Sequence, residues 1–135
     1  MSAFTIGARR IGRGEPVYIV AELSANHNQN VEHAAKLVAA AKDAGADAVK
    51  LQTYTPDTLT LDCDKRAFQI SGDTLWDGQT LHALYRKAFM PWAWQPRLKE
   101  IAESIGLDLF SAAFDATAVD FLETMNVPAH KIASF

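Results

Sequence analysis

Along this chain, short continuous apolar runs alternate with longer stretches in which apolar residues recur at helical spacing. The first run, Val17-Tyr18-Ile19-Val20-Ala21, predicts a buried strand over residues 17–23. Ahead of it, FTI and RRI around Gly7 and Ala8 predict a small hairpin over residues 4–11, and Gly14-Glu15-Pro16 separates the two. Asn30 is a suitable N-cap for a helix whose face is Val31, Ala34, Ala35, Val38 and Ala41, and Gly45 suits the left-handed turn that closes it. A second strand is expected over residues 47–51. Residues 53–80 keep no period and are interrupted by Pro56, Gly72 and Gly78, while Phe68 and Trp76 favour an ordered lid. Periodicity returns with Leu81, Leu84, Tyr85 and Ala88, and after Pro91 with Trp94, Leu98, Ile101, Ala102 and Ile105 up to Gly106. Residues 107–111 predict a third strand, 117–125 a helix that Pro128 prevents from continuing, and 131–134 a fourth strand.

Strand, helix, strand, repeated, implies crossover connections and a parallel sheet in an α/β fold. A flavodoxin-like sheet is one solution. Polar residues issuing from every strand end fit one half of a TIM (β/α)8 barrel better, and no Gly-rich phosphate loop follows the first strand. The fold expected is therefore α/β, with an N-terminal hairpin and the first four strands of a (β/α)8 barrel occupying residues 1–135.

At 135 residues, 49% hydrophobic and 21% charged, the composition is globular and allows one modest domain. Thirteen basic against 16 acidic residues leave a net charge of −3 without a basic run, which excludes electrostatic support for a nucleic-acid or anionic-membrane partner. Small-molecule ligands are expected instead. The single Cys63 cannot form an internal disulfide, and no run has the length of a signal peptide core or a membrane span, so a cytoplasmic location is expected.

The chemistry gathers where strands end. Glu22 sits within an apolar run, where an unpaired carboxylate is costly; it is either a structural ion pair with Lys50 or an acid, base or sugar-hydroxyl acceptor. Lys50 follows Ala48-Val49 and can hold an anion, act as a nucleophilic amine, or be a solvated strand-end lysine. Gln52 shares its face by the two-residue alternation of a strand. Lys131 and Ser134 repeat the theme on the fourth strand, and two lysines at neighbouring exits can neutralise one multiply charged small anion. Asn26 and His27 lie in the loop after the first strand. Ser111 and Asp115 flank the third exit, with Asp115 equally an N-cap. His33, His82 and His130 have no metal-ligand spacing with one another or with Cys63.

The segments YIVAELSANHNQNVEHAAKLVAAAKDAGADAVKLQTY, DTLWDGQTLHALYRKAFMPWAW, LFSAAFD and PAHKIASF resemble the sialic acid synthase family, and the middle one, with Trp-Asp-Gly-x-Thr-Leu and Pro-Trp-x-Trp, its pseudaminic branch. The resemblance implies a TIM barrel that condenses phosphoenolpyruvate with a 2,4-diacetamido-2,4,6-trideoxy hexose to pseudaminic acid, releasing phosphate. Lys50, Lys131 and Ser134 would hold phosphoenolpyruvate, Glu22 and Gln52 would line the reacting centre, and Asn26 and His27 would shape its rim. Ala112 and Ala113 stand where the family carries a hydroxyl and a proline, so Ser111 or backbone N–H groups would have to compensate in holding phosphate. The resemblance also implies a divalent metal, manganese or magnesium, held by residues outside these 135, an antifreeze-like C-terminal domain beyond them, a homodimer in the full-length form, and an inactive isolated segment. Two rivals remain open: a Schiff-base aldolase through a barrel lysine, and a non-catalytic half-barrel that binds small anions.

Overall fold

The computed structural model describes residues 3–133. The expected hairpin is present, with β1 (Phe4–Ile6) antiparallel to β2 (Arg9–Ile11). Four further strands, β3 (Val20–Glu22), β4 (Ala48–Thr53), β5 (Asp108–Ala113) and β6 (His130–Ile132), form one parallel sheet in the order β3-β4-β5-β6. Each strand therefore lies beside its successor, as in a barrel, whereas a flavodoxin-like sheet reverses direction after its first strand.

The helices follow from their caps and apolar faces. Asn30 Oδ1 accepts from His33 N at 2.9 Å to open α1 (Val31–Asp43), and Gly45, with φ +89°, lets the chain turn out of it. Thr55 and Thr58 cap the short α2 (Pro56–Leu59) reciprocally, and Thr80 caps α3 (Leu81–Ala88). A 3-10 turn at Trp92–Trp94 leads into α4 (Gln95–Ser104), and Asp115 accepts from Ala118 N at 2.7 Å to open α5 (Ala116–Thr124). Val49, Leu51 and Leu109 of the sheet are buried in one cluster with Ala34 and Val38 of α1, Leu98 and Ala102 of α4 and Leu122 of α5. Truncating any of these leucines to alanine costs about 2–5 kcal/mol.

The hairpin closes the end of the sheet where the strands begin. Arg9 reaches Asp47 at 2.5 Å, and Tyr18 donates to Asp108 Oδ2 at 2.6 Å. Burial and the Asp108 carboxylate together push the Tyr18 phenol well above its ordinary range. Gly7 is at φ +53°, and a Cβ there would lie 2.6 Å from Asp108 Oδ1, so both backbone and space require glycine.

Several boundaries differ from expectation. The strand expected over residues 17–23 enters the ladder only at Val20, because Asp47 intervenes: its Oδ2 accepts from Ile19 N at 2.8 Å, and the Ile19 carbonyl accepts from Asp47 N and Ala48 N. β4 and β5 run two residues past their expected ends, each paired with the other from Ala48↔Asp108 to Thr53↔Ala113. The fourth strand begins a residue early, at His130, and Ser134 lies outside the described residues. The lid tract contains α2, a 3-10 turn at Arg66–Phe68 and an antiparallel bridge between Gln69 and Thr80. Among the described residues no helix is long and apolar enough to cross a membrane.

Candidate active site

Register divides the sheet into two chemically distinct faces. Residues paired across a parallel ladder share a side, and successive residues alternate. Val49, Leu51 and Leu109 face the helices; Glu22, Lys50 and Phe110 form one row on the opposite face, and Gln52, Ala112 and Lys131 form the next. Two lysines on strands separated by β5 thus share the face that the helices leave uncovered, one row apart. Lys50 lies within β4 rather than at its exit.

Lys50 Nζ donates to Glu22 Oε1 at 2.5 Å, so the structure brings this pair together. The Lys50 side chain is only 15% exposed against 60% for Glu22, which leaves the carboxylate free to reach solvent or a ligand while the ammonium is held in place. Lys131 is half-buried on the same face and is itself engaged in an interaction. Ala112, itself buried, stands in register between Gln52 and Lys131.

Ser111 is not brought to this face. It is fully buried toward the helices, its Oγ 2.6 Å from Thr53 Oγ1, which in turn donates to Gln95 Oε1 at 2.8 Å. Its register with Leu51 fixes that direction, and the correction follows from strand parity: Ser111 is odd where Gln52 and Lys131 are aligned through Ala112. His27 does not reach the rim either. It is fully buried edge-on to Trp94 with ring centroids 5.8 Å apart, accepts from Gln29 N through Nδ1, and is pushed below the usual imidazole value by burial against the opposing pull of the Ala88 carbonyl. Asn26 is exposed and shares with Glu22 a small cleft at the outer edge of β3, beside α1.

Beyond the row of Gln52 the strand exits open into a larger cleft of about 480 Å³. Its floor is Tyr54, packed edge-on to Tyr85 at 5.8 Å and Phe114 at 5.4 Å; Leu59 and Trp76 of the lid and Leu84 and Ala88 of α3 form its walls, and Ser24 and Gln52 its polar margin. Two ties hold α3 beside it. Gln29 Nε2 donates to the carbonyls of Lys87 and Phe89, offsetting the left-handed backbone of Gln29 at φ +53°. His82 bridges α2 and α3, accepting from Arg86 at Nδ1 and therefore donating to Asp57 from Nε2 at 2.9 Å. The tryptophans of Pro-Trp-x-Trp are structural: Trp92 donates from its indole to the Tyr54 carbonyl and stacks on Phe121, and Trp94 packs on His27. Tyr54 was unassigned in the sequence, although the alternation that joins Lys50 to Gln52 extends to it.

Among the described residues no three His, Cys, Asp or Glu side chains cluster in a way that could hold a metal ion.

Residues 37–135 match the NeuB family. The chain is 49% identical over 121 residues to pseudaminic acid synthase of Helicobacter pylori, which covers 90% of this chain and 35% of that protein. It is 50% identical over 119 residues to pseudaminic acid synthase of Campylobacter jejuni, covering 88% of this chain and 34% of the relative. The solved N-acetylneuraminic acid (sialic acid) synthetase of Leptospira borgpetersenii superposes with a TM-score of 0.76 at 26% identity, over 97% of this chain and 41% of that one. The sheet is accordingly a partial TIM barrel, and the chain spans about a third of the length of the curated relatives it matches.

Proposed function

The chain belongs to the NeuB family, and on that premise we propose that residues 1–135 are the phosphoenolpyruvate-binding half-barrel of a nonulosonic acid synthase. The observation that carries this reading is the shared face of Lys50 and Lys131, with Gln52 in register beside Lys131. Phosphoenolpyruvate bears its carboxylate and its phosphate ester on the same carbon, and two ammonium groups one row apart on one face match an anion that carries two charged groups side by side. The acceptor is a 2,4-diacetamido-2,4,6-trideoxy hexose, and the product pseudaminic acid. The enol carbon attacks the sugar aldehyde, whose oxygen takes up a proton; water adds to the resulting cationic carbon, and phosphate leaves by carbon–oxygen cleavage. Lys50 and Lys131 balance the anionic charge throughout, an electrostatic role that gains strength in a closed site. Glu22 fixes Lys50 and is the carboxylate placed to exchange a proton at the reacting centre.

A divalent metal, manganese or magnesium, would take its ligands from outside these residues, as would the further strands and the dimer partner of the full-length form in the cytoplasm. The isolated segment is proposed to bind without turning over. The Schiff-base reading is less well supported, because the Lys50 amine is committed to Glu22 rather than presented to a carbonyl.

The test is a ³¹P NMR titration of the chain with phosphoenolpyruvate. Saturable binding, tighter than that of inorganic phosphate, is expected, together with no covalent label after borohydride treatment in the presence of pyruvate. Absence of binding, or a trapped imine at Lys50 or Lys131, would overturn the proposal.

A further inference from the structure

The parallel sheet is open on both sides, with β3 and β6 as its outer strands. Along β3, Leu23 N donates to the Lys50 carbonyl, and the Ile19 carbonyl accepts from Ala48 N. The odd residues therefore bond to β4, and the backbone groups of Val20 and Glu22 point outward. Such a row is a template for one more strand. On the other side β6 is paired with β5 along one flank and leaves its second flank open.

The surface left uncovered is large. The chain, of 14.8 kDa, exposes 8428 Å², whereas a compact monomer of that mass exposes about 7,000 Å². The excess of about 1,400 Å² is more than the roughly 800 Å² that each partner gives to an interface of standard size. Part of it is apolar and lies at the two open sides. Val17 and Ile19 stand exposed just ahead of β3; Ile132 on β6 and Val119 of α5 are exposed together and line, with Phe114, a groove of about 400 Å³.

We propose that a second copy of this chain covers both sides at once, β6 of each copy pairing in parallel with β3 of the other to close one eight-stranded barrel about a two-fold axis. Each copy supplies four parallel strands in chain order, and eight close a barrel just wide enough for side chains to fill. A two-fold along the barrel axis keeps every strand parallel and makes the two junctions alike, so assembly stops at two copies instead of growing from a free edge. The helix-free face then becomes the barrel interior, where the Lys50 of each copy brings its own neutralising Glu22. Lys50 and Lys131 of both copies share that interior, yet the pairing does not depend on what the face binds.

The test is the mass of the 135-residue chain by sedimentation equilibrium between about 1 and about 100 µM, with amide exchange followed on the same samples. A species of twice 14.8 kDa is expected to dominate at the upper end and to grow no further. In it the Val20 and Glu22 amides should exchange roughly tenfold or more slower than in the dilute chain, while that of Leu23, already bonded to Lys50, changes little. Val20→Pro removes an outward N–H, which an edge strand tolerates, and should weaken association by roughly tenfold or more. Ile132→Lys places a charge at the opposite side, on a residue outside the buried core, and should weaken it similarly; circular dichroism of both variants separates lost association from lost fold. A monomer at the highest concentration, a mass that climbs past two copies, a two-copy species in which Val20 and Glu22 exchange freely, or a folded Ile132→Lys chain that associates as the parent does overturns the proposal.

Discussion

The Glu22–Lys50 pair places a carboxylate where an anionic ligand would compete with it. Glu22 is mostly exposed, so the pair contributes little to stability, of the order of 1 kcal/mol or less. Removing its charge should release Lys50 to a ligand: Glu22→Gln is expected to tighten phosphoenolpyruvate binding several-fold in titration while shifting the thermal midpoint by only a degree or two, and weaker binding would contradict the assigned geometry. The buried chain Gln95–Thr53–Ser111 behaves oppositely. Thr53→Val strands the Ser111 hydroxyl and the Gln95 amide and should cost about 1–3 kcal/mol in denaturant melts. His27 adds a pH dependence. Its folded value is depressed below 6.5 by burial, so its contribution is complete above that value and is lost as pH falls below it; His27→Gln should flatten the fall in melting temperature on acidification from neutrality. At this scale the common face of Glu22, Lys50, Gln52 and Lys131 was legible because strand alternation is a sequence property. That Ser111 lies on the helix side was not, because parity counts only once strand ends are known, and both β4 and β5 end two residues later than their apolar runs.

Among the elements, the helices and the hairpin could be read almost to the residue, since caps and periodicity are local. The lid could not. Its order comes from backbone groups gathered by single side chains, which leave no period: the Asp77 carboxylate accepts from the N–H groups of Gly72, Asp73 and Thr74 and from the Thr74 hydroxyl at 2.7 Å. Those bonds, the Thr74 hydroxyl first, hold Asp77 below its ordinary value of 3.8. The loop is therefore stabilised above that value and loses the contribution as pH falls from 3.8 toward the lowered one. Asp77→Asn should raise amide exchange across residues 70–80 at neutral pH and leave exchange in the sheet unchanged; uniform protection in both proteins would contradict this account. The same logic applies to Gln29, whose two bonds to the end of α3 no sequence pattern announces. Gln29→Ala should lower the melting midpoint by roughly 3–6 °C.

For the whole molecule, a four-stranded parallel sheet has two edges and one face without helices. Val17 and Ile19 are 80% and 54% exposed beside β3, and Ile132 is 84% exposed on β6, so apolar surface and unpaired strand groups coincide at both sides. The isolated 135-residue chain should therefore self-associate at micromolar concentration, which light scattering measures directly; a stable monomer would contradict it. At the opposite end the hairpin plug depends on Gly7, and Gly7→Ala should cost roughly 1–3 kcal/mol by displacing Asp108 from Tyr18. The barrel segment was legible because strand order follows chain order. The most direct measurement of the central claim is a double-mutant cycle of Lys50→Ala and Lys131→Ala on phosphoenolpyruvate affinity, with Lys42→Ala, whose amine donates to the Gly106 carbonyl away from the site, as the control. The account predicts that each site variant loses roughly tenfold or more in affinity while the control binds as the parent does. A Lys131→Ala chain that binds phosphoenolpyruvate as tightly as the parent contradicts it.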